Sequence, residues 1–393
     1  MDCKIENRLG YEERLFEAIV EAYGERANSL FDALSRAPSE YAIRINTLRS
    51  DAERVLMGLL EMGVECRPSP ILEEAVLVKV KGPFELEREG KVVVARKGAA
   101  ESVMMGSNLY GPGVLRTEKY RLGDVVSVVD PKGHLVGKGI ARMPPKTDST
   151  KRHGVAVEIR ESVYRLPPFR ESQLYREGLI REQSLPAMIA SRVLEPKPGE
   201  TVVDMCAAPG GKTLHIAQLM GDRGRVYAFD HSEERLGALI TDAERLGVRS
   251  VVAVCRDSRY IDRDFPNLRA DRVIVDPPCS ALGVRPKLYE EATYARVRGC
   301  AEYQKQFMRA ASRVAKTGGV LVYSTCTLTL EENEEVVLYA VEELGLELED
   351  QCIMVGEGGF VGSVKRVQRF SPDLLDMPGY FIAKFTKARE VQE

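Results

Sequence analysis

Thr201-Val-Val-Asp204-Met-Cys-Ala-Ala-Pro209-Gly210-Gly211-Lys212-Thr213 is the stretch on which the reading of the fold turns. A β-branched run passes into a proline and two glycines, and a helical segment follows, so it reads as strand, tight turn and helix. Apparent strands then recur at Thr201 to Met205, Arg225 to Phe229, Val251 to Cys255, Arg272 to Asp276, Val320 to Ser324 and Tyr380 to Phe385. Helical segments fill most of the gaps, which predicts an α/β fold with a doubly wound parallel sheet. Such sheets deliver functional groups at the carboxyl ends of their strands.

Two cysteines follow polar or proline steps at those ends, in Asp271-Arg-Val-Ile-Val-Asp276-Pro277-Pro278-Cys279-Ser280 and in Gly318-Gly-Val-Leu-Val-Tyr-Ser324-Thr325-Cys326-Thr327. If the two strands are neighbours, both thiols face one pocket beside the Asp276 carboxylate. Consecutive prolines form a rigid turn without donors, which suits a platform for a flat base. Carbon 5 of cytosine is a poor nucleophile until something adds to carbon 6, and a thiolate is a strong, soft nucleophile for that addition.

Gly211-Lys212-Thr213 ends like a triphosphate-binding loop, but that loop also needs glycine where Cys206 stands. The dinucleotide pattern of three glycines is absent too. A glycine pair at a strand-to-helix turn lets a ligand approach the backbone, and the helix start can receive a carboxylate. S-adenosylmethionine, with one carboxylate and no phosphate, fits such a turn. Asp230 ends the second strand, where it can take ribose hydroxyls, and Asp257 follows the third, where it can accept from an adenine amine. Either aspartate alone reads first as a helix N-cap. Their joint position after successive strands favours the ligand.

The rest of the chain sets the context. A length of 393 residues predicts two or three domains, and 44% hydrophobic with 29% charged residues is the composition of a soluble globular protein. No apolar run approaches a membrane span and the N-terminus lacks a signal-peptide core, so the cytoplasm is the default location. Eight cysteines stand far apart, which speaks against zinc ribbons, paired redox motifs and a disulfide framework. No metal is expected. Net charge is −3, yet residues 91–170 hold 15 Lys and Arg against 7 Asp and Glu, a local basic surplus suited to a phosphate backbone. Residues 11–36 read as helix, Tyr41 to Leu48 as strand and Asp51 to Met62 as helix. The glutamates between 331 and 349 read as a solvated helix face, with Thr329 and Glu332 as its capping box. Cys206, Cys255, His215 and His231 read as packing or solvent-facing groups.

Two resemblances extend this reading. The Ala99-Ala-Glu-Ser-Val-Met-Met-Gly-Ser107 helix, Pro112-Gly-Val and Gly123-Asp124-Val-Val resemble the marks of a PUA domain, a small β-barrel that binds structured RNA. The glycine turn, Asp276-Pro-Pro-Cys279-Ser-Ala-Leu-Gly283 and Ser324-Thr-Cys326-Thr-Leu328 together resemble the Sun/Fmu family of RNA cytosine-C5 methyltransferases, with a Rossmann-like class I domain. That resemblance implies Cys326 as nucleophile, Cys279 as the thiol that promotes product release, and Asp276 and Lys212 as contacts to the target cytosine. A protonated Asp276 is expected to donate to N3 of the ring. The cofactor set expected is Ala207, Pro209, Gly210, Gly211, Lys212, Asp230, Arg235, Asp257 and Asp276. Arg369-Phe-Ser-Pro and Gly379-Tyr-Phe-Ile-Ala resemble the closing motif, Tyr380 replacing a more usual phenylalanine at no evident mechanistic cost.

The expected division is an N-terminal α/β region over 1–90, a PUA domain over 91–162 and a methyltransferase domain over 163–393. A PUA domain ahead of such a catalytic domain resembles the branch that modifies tRNA near its 3′ end. It implies cytosine 72 of the acceptor stem as target and the CCA end as the PUA ligand, with the enzyme acting as a monomer. A methyltransferase for ribosomal RNA or another tRNA position is the alternative, and an RNA-binding factor with an inactive methyltransferase fold is a second.

Overall fold

The computed structural model describes residues 5–145 and 154–388. Its largest sheet contains β1 (Thr201–Asp204), β2 (Arg225–Asp230), β3 (Val251–Cys255), β4 (Ala270–Val275), β5 (Ala315–Thr325), β6 (Leu346–Leu348) and β7 (Tyr380–Lys387), in the order β3-β2-β1-β4-β5-β7-β6. The first five strands are parallel. Strand β7 runs against both β5 and β6, so the sheet is mixed rather than wholly parallel. A reversed strand needs no long crossover, and β7 is entered from the strand Gln368–Phe370, with which it also pairs, through the short helix Pro372–Leu375.

Successive side chains of β4 feed opposite faces of the sheet. Val273 packs with Phe229, Phe307, Tyr323 and Phe381 on one side, and Ile274 with Val202, Leu214, Val322 and Ile382 on the other. Burial on both faces is why the central strands read as unbroken apolar runs. The covering helices are α1 (Gly211–Leu219), α2 (Glu233–Leu246), α3 (Tyr294–Val314) and α4 (Glu334–Glu342).

The N-terminal residues form helices Glu13–Tyr23 and Ala27–Ser35, broken where Gly24 takes φ 57°, and an antiparallel sheet in the order Ile180–Glu182, Glu40–Ile45, Ala75–Lys79, Cys66–Pro68. Strand Ile180–Glu182 thus joins the N-terminal sheet although it follows the barrel in sequence. The barrel sheet has six strands, Leu109–Tyr110, Val155–Ser162, Leu135–Ala141, Val125–Val129, Lys91–Ala95 and Val114–Thr117, and helix Lys97–Met104 packs into its core.

Residues 281–293 are where the three parts meet. Arg285 donates to the carbonyls of Arg36 and Ala37, and the Lys287 amide to that of Leu34. On the barrel side, the Leu288 amide donates to Glu101, and the buried Tyr289 ring lies 3.7 Å from the Lys132 ammonium.

The glutamates after Cys326 divide: Glu342, Glu343 and Glu347 are exposed, as on a solvated face, but those nearest the site are not. Glu331, Glu332 and Glu334 are buried, the helix starts at Glu334 behind Asn333, and the Thr329 hydroxyl has no hydrogen-bond partner, so the expected capping box does not form. Glu334 instead pairs with the buried Arg369 at 2.6 Å, and Arg369 also donates to the Tyr23 hydroxyl and the Leu328 carbonyl. Among the described residues, no helix is long and apolar enough to cross a membrane.

Removing one partner of a buried ion pair strands the other, at a cost of about 3–5 kcal/mol. Glu334→Ala should lower the unfolding free energy by that amount in a denaturant titration, and a loss under about 1 kcal/mol would contradict the pairing.

Candidate active site

Parallel pairing sets Val275 of β4 opposite Tyr323 of β5, so the residues that follow, Asp276 and Ser324, emerge side by side. The Ser324 hydroxyl donates to Asp276 Oδ1 at 3.0 Å. Tyr380, at the start of β7, places its hydroxyl 3.2 Å from Asp276 Oδ1 and 3.2 Å from Ser324 Oγ. Lys212, from the first turn of α1, donates to Asp276 Oδ2 at 2.6 Å. Both Asp276 oxygens thus act as acceptors in these contacts, whereas the sequence reading expected this carboxyl to donate to N3 of the base. Burial disfavours the Lys212 charge, but Asp276 and Tyr380 hold its pKa above the ordinary lysine value.

The two sulfurs lie 3.4 Å apart. The hydrogen bond between them pushes the Cys326 thiol down and the Cys279 thiol up. For Cys326 the Lys212 charge adds to the fall and burial opposes it, whereas for Cys279 burial adds to the rise. Cys326 is thus the sulfur readier to lose its proton.

What holds the sulfurs together lies just below them. The residue after each cysteine, Ser280 and Thr327, bonds to the other at 2.6 Å, and both turn onto the buried Glu332 carboxylate. The Ser280 amide and the Gln304 side chain each donate to its other oxygen at 2.9 Å. Gln304 accepts from the Tyr323 hydroxyl, which ties the cluster to β5. Above them, the Gly283 amide donates to the Cys326 carbonyl at 2.9 Å. A Cβ on Gly283 would stand 2.3 Å from the Gly379 carbonyl oxygen, so the residue there has to be glycine.

On the other flank of Lys212 is the glycine turn. Gly210 takes φ 99° as the N-cap of α1, and a Cβ there would lie 2.9 Å from Leu239. The chain path and the packing of α2 thus both demand glycine. The Asp204 carboxylate, buried beneath the turn, accepts from Thr213 Oγ1 at 2.7 Å and from the Cys206 amide at 3.2 Å. Burial raises its pKa to about 6. Ala207 is buried and bonds the Phe229 carbonyl, while Pro209 lies in the turn and its carbonyl accepts from Arg181.

Asp230 at the end of β2 is buried, accepts from the Ser232 amide and pairs with Arg235 at 3.3 Å. Asp257 caps the short turn Ser258–Tyr260 and pairs with Arg259 at 2.5 Å, which holds its carboxyl below the usual range. The capping role open to Asp257 from its sequence is realised, with an ion pair added. Because Asp230 is level with Cys255 across β2 and β3, both aspartates open on one side of the sheet. Two carboxylates beyond adjacent strands and the first-turn amides of α1, which have no intrahelical acceptors, form a donor and acceptor set that fits S-adenosylmethionine.

Lys212, Asp276, Cys279 and Cys326 are brought together as one cluster, and Asp230, Arg235 and Asp257 as a neighbouring one. His215 is buried on Glu74 at 3.0 Å, its pKa pulled to about 4 by burial, and His231 is exposed, so neither enters the cluster. The sequence reading missed Glu332, Ser324, Tyr380 and Asp204. Glu332 was hidden by its acidic neighbours, and Tyr380 by being read as an inert exchange.

Fold and site together define a Rossmann-like class I methyltransferase with two thiols in its reaction pocket. The description "16S rRNA methyltransferase RsmB/F" matches residues 191–386, a PUA domain matches 91–163, and the ferredoxin-like domain of RsmF/B-like methyltransferases matches 12–85. The tRNA (cytosine(72)-C(5))-methyltransferase of Pyrococcus horikoshii is 43% identical over 93% of this chain and 94% of its own. The human tRNA (cytosine(72)-C(5))-methyltransferase NSUN6 is 31% identical over 92% of this chain and 91% of its own. The crystal structure of NSun6 from Pyrococcus horikoshii with SFG, an analogue of S-adenosylmethionine, superposes with a TM-score of 0.87 at 42% identity, covering 97% of this chain and 99% of that one. The chain belongs to this family of RNA cytosine-C5 methyltransferases.

Two outcomes follow from the buried carboxyls. Glu332→Ala leaves the donors of Ser280, Gln304 and Thr327 unmatched, at about 1–3 kcal/mol, and should let the thiols part. Phenylarsine oxide, which bridges neighbouring thiols, should then bind the variant at least tenfold more weakly by intact mass, while maleimide still labels each cysteine; equal arsenical binding would refute the staple. The Asp204 pKa is raised on folding, so its contribution to stability is present below about pH 4 and lost as pH rises through about 6. The Tm of Asp204→Asn relative to the parent should therefore climb between pH 4 and 7; a difference flat in pH would contradict this.

Proposed function

We propose that the chain methylates carbon 5 of cytosine 72 in the tRNA acceptor stem, using S-adenosylmethionine and a transient bond between Cys326 and carbon 6 of the base. The observation that carries this reading is the pair of sulfurs 3.4 Å apart beside the Lys212–Asp276 pair. In support, the two relatives above that are named for cytosine 72 align over more than nine-tenths of this chain, barrel included. A structural relative was solved with SFG.

Each residue then has a chemical part. The Cys326 thiolate adds to carbon 6, which makes carbon 5 nucleophilic. Bound S-adenosylmethionine supplies the methyl group. The Asp276 carboxylate accepts from the exocyclic amine of cytosine, a group uracil lacks, and the Lys212 ammonium offsets charge developing on the ring. The carbon 5 proton passes to Cys279 or to a base it assists. The carbon–sulfur bond then breaks, its electron pair returns to Cys326 and the product is released. Asp230, Asp257 and the turn from Ala207 to Gly211 hold the cofactor in line for the transfer. The target base has to leave its stack to reach the sulfurs. The basic barrel, residues 91–162 of the proposed three-part division, would grip the CCA end through phosphate contacts.

Cys326→Ser should abolish 5-methylcytosine at position 72, read by bisulfite sequencing of tRNA incubated with enzyme and cofactor, and should leave RNA affinity within about twofold. Cys279→Ala should accumulate a protein–RNA adduct that survives denaturing electrophoresis. Methylation retained by Cys326→Ser, or a modified base elsewhere, would overturn the assignment.

A further inference from the structure

The cofactor turn is gripped from outside by three guanidinium groups. Arg235 on α2 donates to the Ala208 carbonyl. Arg181 donates to the Pro209 carbonyl at 2.9 Å, and Arg44 to the Gly211 carbonyl at 2.7 Å. Only Arg235 belongs to the Rossmann-like sheet and its helices. Arg44 sits on strand Glu40–Ile45 and Arg181 on strand Ile180–Glu182, neighbours in the N-terminal sheet with Arg44 level with Arg181 in the pairing.

Both N-terminal arginines are themselves held. Arg181 pairs with Asp242 of α2 at 2.5 Å, and a Cβ on Gly211 would come within 3.1 Å of its Nη1. Arg44 is 1% exposed and also donates to the side-chain oxygen of Gln183. Its Nε and Nη2, and the Gln183 Nε2, are buried without partners. Burying a guanidinium with two unmatched donors costs stability. A guanidinium kept at that cost beside the first turn of a helix indicates a task other than holding the fold.

We infer that Arg44 and Arg181 are positioning residues for the cofactor, and that the N-terminal sheet thereby forms the outer wall of the cofactor site. By drawing the carbonyls of Pro209 and Gly211 outward they fix the turn whose inner side meets the ligand. The inference rests on the proposed role of this turn in binding S-adenosylmethionine.

The test is titration calorimetry of the full chain with S-adenosylhomocysteine. Arg181→Ala should weaken binding at least tenfold, Arg181→Lys should recover part of the loss, and the KM for RNA should stay within twofold. Gln218→Ala is the control, because Gln218 crosses the same interface to the Ile45 carbonyl without touching the turn. It should lower Tm while leaving cofactor affinity intact. Unchanged affinity in Arg181→Ala, or equal weakening in Gln218→Ala, would overturn the inference and leave the proposed function standing. Failure of the parent chain to bind S-adenosylhomocysteine would overturn both.

Discussion

The site depends on a carboxylate buried beneath the two sulfurs. Glu332 is fully buried, and burial of an unpaired carboxylate is so unfavourable that the side chain persists there only because four donors converge on it. Two of those donors come from the residue after Cys279, one from the residue after Cys326 and one from α3. Strand pairing brings β4 and β5 side by side but does not fix what the loops beyond them do. The spacing of the sulfurs is set by this hydrogen-bonded knot, not by the sheet.

Charge around the sulfurs is divided in a comparable way. Lys212 stands between two acidic environments, Asp276 on one flank and the turn braced by Asp204 on the other. Its ammonium therefore links the end of β4 to the glycine turn. Ser324 and Tyr380 complete the shell of Asp276, so that its oxygens point where strands β5 and β7 place their donors.

Much of this was legible in the sequence, for a physical reason. The central strands β1, β2, β4 and β5 are buried along most of their length and so left apolar runs, and the strand ends carried residues whose chemistry stands out: the glycines, Asp230, Asp257, Asp276 and Cys279, Cys326. Antiparallel β7 looked no different from a parallel strand, since apolar content records burial and not direction. The N-terminal sheet was mostly missed because Cys66–Pro68 and Ile180–Glu182 are three residues each, and the second pairs with a strand far back in the chain. Glu332 and Glu334 could not be told from solvated glutamates, because what distinguishes them is partners such as Ser280 and Arg369 that lie far away in the chain. Tyr380 was read as a phenylalanine with an idle hydroxyl, and only its adjacency to Ser324 shows otherwise.

The segment from 281 to 293 leads away from Cys279 and is fastened to the N-terminal helices by Arg285 and Lys287 and to the barrel by Leu288 and Tyr289. The offset between barrel and sulfurs is therefore held by this one segment, as between the jaws of a caliper.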